Sequence, residues 1–163
     1  MLLIVLVDLP PSTSINKTVI DMGLFKSIKL YNNVSTHVDT VANGFINSMK
    51  YEGYDVVGTK MPSGEWDISI KKGDLLRAVV GMQTAMKVVI TPNTPHVYVK
   101  TGVGIFGQQA IPSLLTAFVI HPLLILQVWG LIKQYKLDEI VSTKINQGFN
   151  RATGRIVTPK IIE

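Results

Sequence analysis

The chain of 163 residues contains no cysteine, so it has no disulfide, thiolate metal ligand or thiol nucleophile. Its three histidines, His37, His96 and His121, lie far apart and lack the spacing of an HExxH zinc motif. No nucleophile–base pair and no pair of carboxylates stands out. We therefore predict a non-enzymatic protein with no catalytic residues, no metal and no cofactor.

Charged residues are also scarce, at 17% of the chain against a usual value of about 25%. Much of the shortage comes from residues 111–132, which contain no Asp, Glu, Lys or Arg. As a helix this stretch would be ~33 Å long, close to the ~30 Å hydrocarbon core of a bilayer. We predict a membrane-type helix kinked at Pro122. The residues that define this membrane segment are Ile111, Leu114, Leu115, Phe118, His121, Pro122, Leu124 and Trp129.

The dipeptide His121-Pro122 lies near the middle of this segment and allows two interpretations. An ionisable side chain inside a membrane is costly, which favours a proton or ligand site. A neutral histidine could instead bond to a nearby carbonyl or to Gln127, or lie at the apex of a re-entrant segment. Trp129 and Tyr135 fit an aromatic belt at the membrane interface.

The rest of the chain predicts an α+β fold. Residues 36–51 form one apolar stripe with helical spacing, made by Val38, Val41, Ala42, Phe45, Ile46 and Met49. From residue 54 the apolar period changes to two, which predicts an antiparallel meander of about five strands at 54–61, 65–72, 75–81, 85–91 and 96–103. We expect the helix to cover the apolar face, and Phe45 to contact Trp66, Ile68, Val88, Ile90, Val97 and Val99.

The predicted organisation has four parts. Residues 1–35 are an extension and connector, in which the apolar start is too short for a signal peptide and residues 1–21 could precede the functional core. Residues 36–107 hold the helix and sheet, and residues 108–136 the hydrophobic helix. Residues 137–163 form an amphipathic helix ending near Gly148 or Asn150, followed by a loosely ordered basic tail.

Gly102, Gly104 and Gly107 spell G-x-G-x-x-G, the dinucleotide-binding fingerprint. The context argues against that function, because the motif follows an antiparallel meander and the next acidic residue is Asp138. We interpret the three glycines as a hinge, where small residues let the last strand turn into the hydrophobic helix.

Basic residues alternate along the polar face of the predicted sheet. They could bind single-stranded nucleic acid or anionic lipid headgroups, or simply be solvated. We do not expect nucleic acid to be a partner. The residues of this basic surface are Lys71, Arg77, Lys87 and Lys100, with Tyr98 among them.

Four stretches resemble a family of small bacterial proteins of uncharacterised function. They are AVVGMQTAMK at 78–87, GVGIFGQQAIP at 102–112, HPLL at 121–124 and QVWGLIKQYKLD at 127–138. The resemblance implies a β-rich unit joined to a hydrophobic helix in a bacterial setting. It implies no activity and no catalytic residues.

Two functions remain open. The first is a membrane-attached binding or scaffold module that contacts the bilayer and either a protein partner or a second copy of itself. Lys133, Lys136 and Lys144 then favour a cytoplasmic C-terminus, and a re-entrant segment would keep the sheet domain cytoplasmic as well. The alternative is a soluble α+β module whose hydrophobic helix closes a pocket for a lipid or other apolar ligand.

Overall fold

The computed structural model describes residues 25–73, 84–107 and 122–162. In that part of the chain, a six-stranded antiparallel sheet and three α-helices form an α+β fold. The strands are β1 (Phe25–Tyr31), β2 (Asp55–Lys60), β3 (Trp66–Lys71), β4 (Thr84–Asn93), β5 (His96–Ile105) and β6 (Lys160–Ile161). The helices are α1 (Val38–Tyr51), preceded by a 3-10 turn at Ser35–His37, α2 (Pro122–Gln134) and α3 (Leu137–Thr153).

The strand order is β2-β3-β4-β5-β1-β6. Strands β2 to β5 form the predicted meander, and the further predicted strand at 75–81 lies outside the described residues. Strand β1 pairs with β5, so that Tyr31 lies opposite Val97, and β6 pairs with β1. The sequence analysis placed β1 in a connector and β6 in a loose tail. Both segments instead extend the sheet beyond β5.

Helix α1 covers one face of the sheet, which we call the core face. All six residues of its predicted apolar stripe are buried. The sheet residues expected to meet it are buried in the same cluster, and they are Trp66, Ile68, Val88, Ile90, Val97 and Val99. The Trp66 indole N–H also donates to Asp39 Oδ1 of α1 at 2.9 Å. The predicted burial of these residues is therefore confirmed.

Helix α3 is longer than predicted, because it continues past Gly148 to Thr153. A Cβ atom at position 148 would lie 3.0 Å from Val41 Cγ1 of α1, so this glycine permits a close helix–helix approach. The helix ends at Gly154, which has a φ of +67°. The side chains of α3 that are buried against α1 and the core face are Leu137, Val141, Ile145 and Phe149.

Helix α2 is the described part of the uncharged segment, and it packs on the same core. Val128 and Ile132 are buried in the core cluster, and the helix contacts β4, β5 and α3. None of the helices in the described ranges is long and apolar enough to cross a membrane. Residues 111–121, and with them the predicted kink next to His121, lie outside the described ranges.

Candidate functional site

A cavity of about 350 Å³ lies between the core face and the two C-terminal helices. Strands β1 and β5 form its floor, α2 and α3 form its walls, and Ile161 of β6 lies at its edge. We call it the sheet–helix cavity. Its volume is at the lower end of the ~300–1,000 Å³ range of small-molecule sites.

The polar side of this cavity joins β1 to both helices. The Lys29 ammonium donates to Ser142 Oγ of α3. The Lys133 ammonium of α2 forms an ion pair with Asp138 Oδ2 of α3. These four side chains come from β1, α2 and α3, so the fold brings them together.

The cavity is positively charged. Lys26, Lys29 and Lys133 line it together with the single carboxylate of Asp138, which gives a net charge of 3 − 1 = +2 when all four are ionised. Burial lowers the pKa of Lys29, Asp138 opposes that effect, and Lys133 adds to it. The site therefore favours an additional negative charge.

The cavity also has apolar lining residues. They are Val99 of β5, Val141 and Ile145 of α3, and Trp129 of α2. The Lys133 ammonium lies 5.5 Å from the centre of the Trp129 ring, which is within cation–π range. Trp129 belongs to the predicted membrane segment, yet it is partly buried against the core.

Tyr31 is a fully buried residue of the cavity lining. Its hydroxyl donates to Asn146 Oδ1 of α3 at 2.5 Å, and its ring centroid lies 4.8 Å from that of Phe149. Burial raises the pKa of this phenol, so it remains a neutral hydrogen-bond donor at any physiological pH. Tyr31 therefore fixes β1 to α3 and holds the cavity in shape.

A second groove, of about 370 Å³, lies between α1 and α3. Gly44 and Gly148 make room for it, and Lys144 and Arg151 lie along it. The Lys144 ammonium already donates to Ser48 Oγ at 2.8 Å and pairs with Glu52. This groove contains no tryptophan or tyrosine, so the sheet–helix cavity is the better candidate for a ligand site.

The other face of the sheet carries a buried ion pair. Lys87 of β4 is only 2% exposed, and it pairs with Asp67 of β3. Its ammonium also donates to Ser69 Oγ at 2.8 Å. Burial lowers the pKa of Lys87, and Asp67 opposes that effect. The prediction that Lys87 lies on an exposed basic surface is therefore wrong, because β3 and β4 are buried on both faces.

The three predicted hinge glycines lie next to this ion pair. Gly102 is the direct β-sheet partner of Lys87. A Cβ atom at Gly104 would lie 2.3 Å from Lys87 Cγ, so only glycine leaves room for the lysine stem. Gly107 has a φ of +75°, and its N–H donates to Ser69 Oγ at 3.2 Å. These contacts explain the glycines without a phosphate, and their hinge role stays a prediction.

Two other residues of the predicted basic surface lie beside aromatic rings. The Lys71 ammonium lies 4.3 Å from the Phe106 ring centre, and the Lys100 ammonium lies 5.5 Å from that of Phe25. Both lysines are half-buried, and Arg77 lies outside the described residues. A common basic surface of these residues stays a prediction.

The sequence analysis missed the polar residues of the sheet–helix cavity. Lys29 and Ser142 are 113 positions apart, so no local motif could have joined them. Of the predicted membrane segment, the described residues include Pro122, Leu124 and Trp129, and Trp129 lines the cavity. Ile111, Leu114, Leu115, Phe118 and His121 lie outside the described ranges.

Comparisons with known proteins add no functional assignment. No family model, no curated protein and no solved structure matches the chain. Over the described ranges, no group of three or more His, Cys, Asp or Glu residues could hold a metal ion. The proposals below therefore rest on the geometry of this chain.

Proposed function

We propose that the protein is a non-enzymatic binding module that holds a small, largely apolar ligand in the sheet–helix cavity. Helix α2 closes this cavity, as in the pocket model that the sequence allowed. The observation that carries the proposal is the position of Trp129. It lines the cavity, while Val128 and Ile132 of the same helix anchor α2 in the core.

A cavity of this kind meets the general requirements of a ligand site. It is concave and lined by apolar side chains, with a few converging polar groups for orientation. Two of its walls are helices and its floor is a sheet, so the lining residues have fixed positions.

The test is a titration with octanol, a neutral and water-soluble apolar probe, in which tryptophan fluorescence is the signal. We expect a saturable change that Trp129→Phe removes and Trp66→Phe retains, because Trp66 is bonded to Asp39 outside the cavity. Val99→Phe should fill the cavity and weaken binding by at least about tenfold. Val57→Phe is the matched control, since Val57 is 39% exposed on β2.

Failure to saturate, or an equal loss of binding in the Val99 and Val57 variants, would contradict the proposal. Circular dichroism of each variant verifies that the fold is retained. Any binding that survives Trp129→Phe without change would place the ligand elsewhere on the protein.

Attachment to a bilayer is the second candidate function, and Leu126 favours it. This leucine is 57% exposed on α2, next to the uncharged residues 111–121. Because β6 pairs with β1, the chain before and after the segment belongs to one sheet. We therefore propose that any such attachment leaves both parts on the same side of the membrane. A cytoplasmic location and self-association stay predictions.

A further inference from the structure

We propose that the natural ligand of the sheet–helix cavity is a small anionic amphiphile, with an oxyanion head held by Lys29 and Lys133 and an apolar tail against Trp129. This inference rests on the proposed binding function and specifies the chemical class of the ligand. It follows from the charge of the cavity, the free hydrogen-bond donors of its lysines and its mixture of polar and apolar lining residues.

The cavity is lined by three lysines and one carboxylate. Asp138 pairs with Lys133 through Oδ2 and also favours the charged form of Lys29, but its single negative charge balances only one of the three ammonium groups. A neutral ligand would leave that excess charge uncompensated in a partly buried place. A ligand with one negative charge reduces the net charge from +2 to +1, which a partly buried site favours.

The ammonium groups of Lys29 and Lys133 still have hydrogen-bond donors for a ligand. Each lysine ammonium carries three donors and no acceptor. Lys29 uses one donor on Ser142, and Lys133 uses one on Asp138. Two lysines from different elements can thus donate to one oxyanion head, and such charge-assisted bonds are about twice as strong as neutral ones.

The apolar lining residues favour an amphiphile over a free anion. Val99, Trp129 and Ile145 line the same cavity, and an inorganic anion would leave them uncovered. The Lys133 side chain is 58% exposed, so this head-binding group is accessible from solvent. A short chain with a charged head would therefore enter tail first and keep its head between the two lysines.

The experiment compares octanoate with octanol by isothermal titration calorimetry at low salt. We expect octanoate to bind the unmodified protein at least about tenfold more tightly, the effect of one charge-assisted interaction. Lys29→Met and Lys133→Met should each bring the ratio of octanoate affinity to octanol affinity close to one. Lys50→Met makes the same change in net charge at an exposed site on α1 and should have no effect.

Each outcome has a distinct meaning. If octanoate and octanol bind equally, or if Lys50→Met acts like Lys29→Met, the anionic ligand class is wrong while the cavity function stands. If neither probe binds, the proposed function fails and this inference fails with it. Lys29→Arg keeps the charge and should retain the preference for octanoate, which separates charge from a loss of local structure.

Discussion

Replacing Lys87 by methionine should destabilise the protein by about 3–5 kcal/mol. The substitution leaves the Asp67 carboxylate buried without its cationic partner, and both side chains are less than one-tenth exposed. Methionine matches the lysine stem that lies over Gly104, so the loss of packing is small. The free energy of unfolding, measured by urea denaturation with circular dichroism, gives the size of the effect.

Two further variants show whether the buried charge causes this loss. The double variant Asp67→Leu/Lys87→Met replaces the pair by apolar groups and should recover most of the stability, since such replacements are often neutral. Lys60→Met breaks an exposed pair between β2 and Asp39 of α1 and should cost less than about 1 kcal/mol. Equal losses in Lys87→Met and Lys60→Met would contradict the account.

The buried pair of Lys87 and Asp67 predicts a dependence of stability on pH. Burial lowers the pKa of Lys87 below its ordinary value of 10.5, so the unfolded chain binds more protons than the folded one just below that pH. Lys87 should therefore contribute a rise in stability as the pH approaches 10.5 from below, whereas Tyr31, whose pKa burial raises, contributes in the opposite direction. Lys87→Met should make the measured slope of stability against pH less positive, while Lys60→Met should leave it unchanged.

Two substitutions on α2 should differ strongly in their effect on stability, because one side chain is buried and the other is exposed. Val128 is fully buried in the core, so Val128→Arg buries an unpaired charge and should cost about 3–5 kcal/mol. Leu126 is 57% exposed, and Leu126→Arg should change the stability by no more than about 0.5 kcal/mol. Thermal and urea unfolding of the two variants measure this difference.

The Leu126→Arg variant also distinguishes the two candidate functions. If the protein is a binding module with α2 as a wall of its cavity, this variant keeps its affinity for octanol. If the protein attaches to a bilayer through this helix, the variant should lose vesicle binding, since arginine costs ~2.5–3.5 kcal/mol inside a bilayer. Flotation with liposomes provides that readout. Unfolding of the Leu126 variant would show that the position of α2 is wrong.

Local periodicity was sufficient for the elements whose apolar side is continuous in sequence. The stripe of α1 follows from helical spacing, and strands β3 to β5 follow from alternation, because each buries one side against the core face. The fold class and the packing of Phe45 were predictable for that reason.

Elements that depend on distant partners were not predictable. Strand β1 places Lys29 and Tyr31 on the core face, where Ser142 and Asn146 of α3 satisfy their polar atoms. Because Lys29 is a charged residue at a core-facing position, β1 does not show the apolar alternation that predicts a strand. Strand β6 is two residues long, too short for any period to show.

The buried Lys87 shows a different limit. Alternation correctly separated it from Met86 and Val88, but could not tell that this second face is buried too. A signal was present, because the neighbours of Lys87 on that face of β4 are Ala85 and Val89. An apolar second face indicates a strand covered on both sides, where a lone lysine needs a partner.

The position of the ligand tests the account most directly, and an NMR titration of the amide signals with octanoate measures it. The account predicts saturable shifts centred on Lys29, Trp129 and Ser142, from three separate elements around the sheet–helix cavity. Shifts centred on Gly44 and Gly148 would place the ligand in the groove between α1 and α3 and would contradict it. The absence of saturable shifts at the cavity residues would contradict it equally.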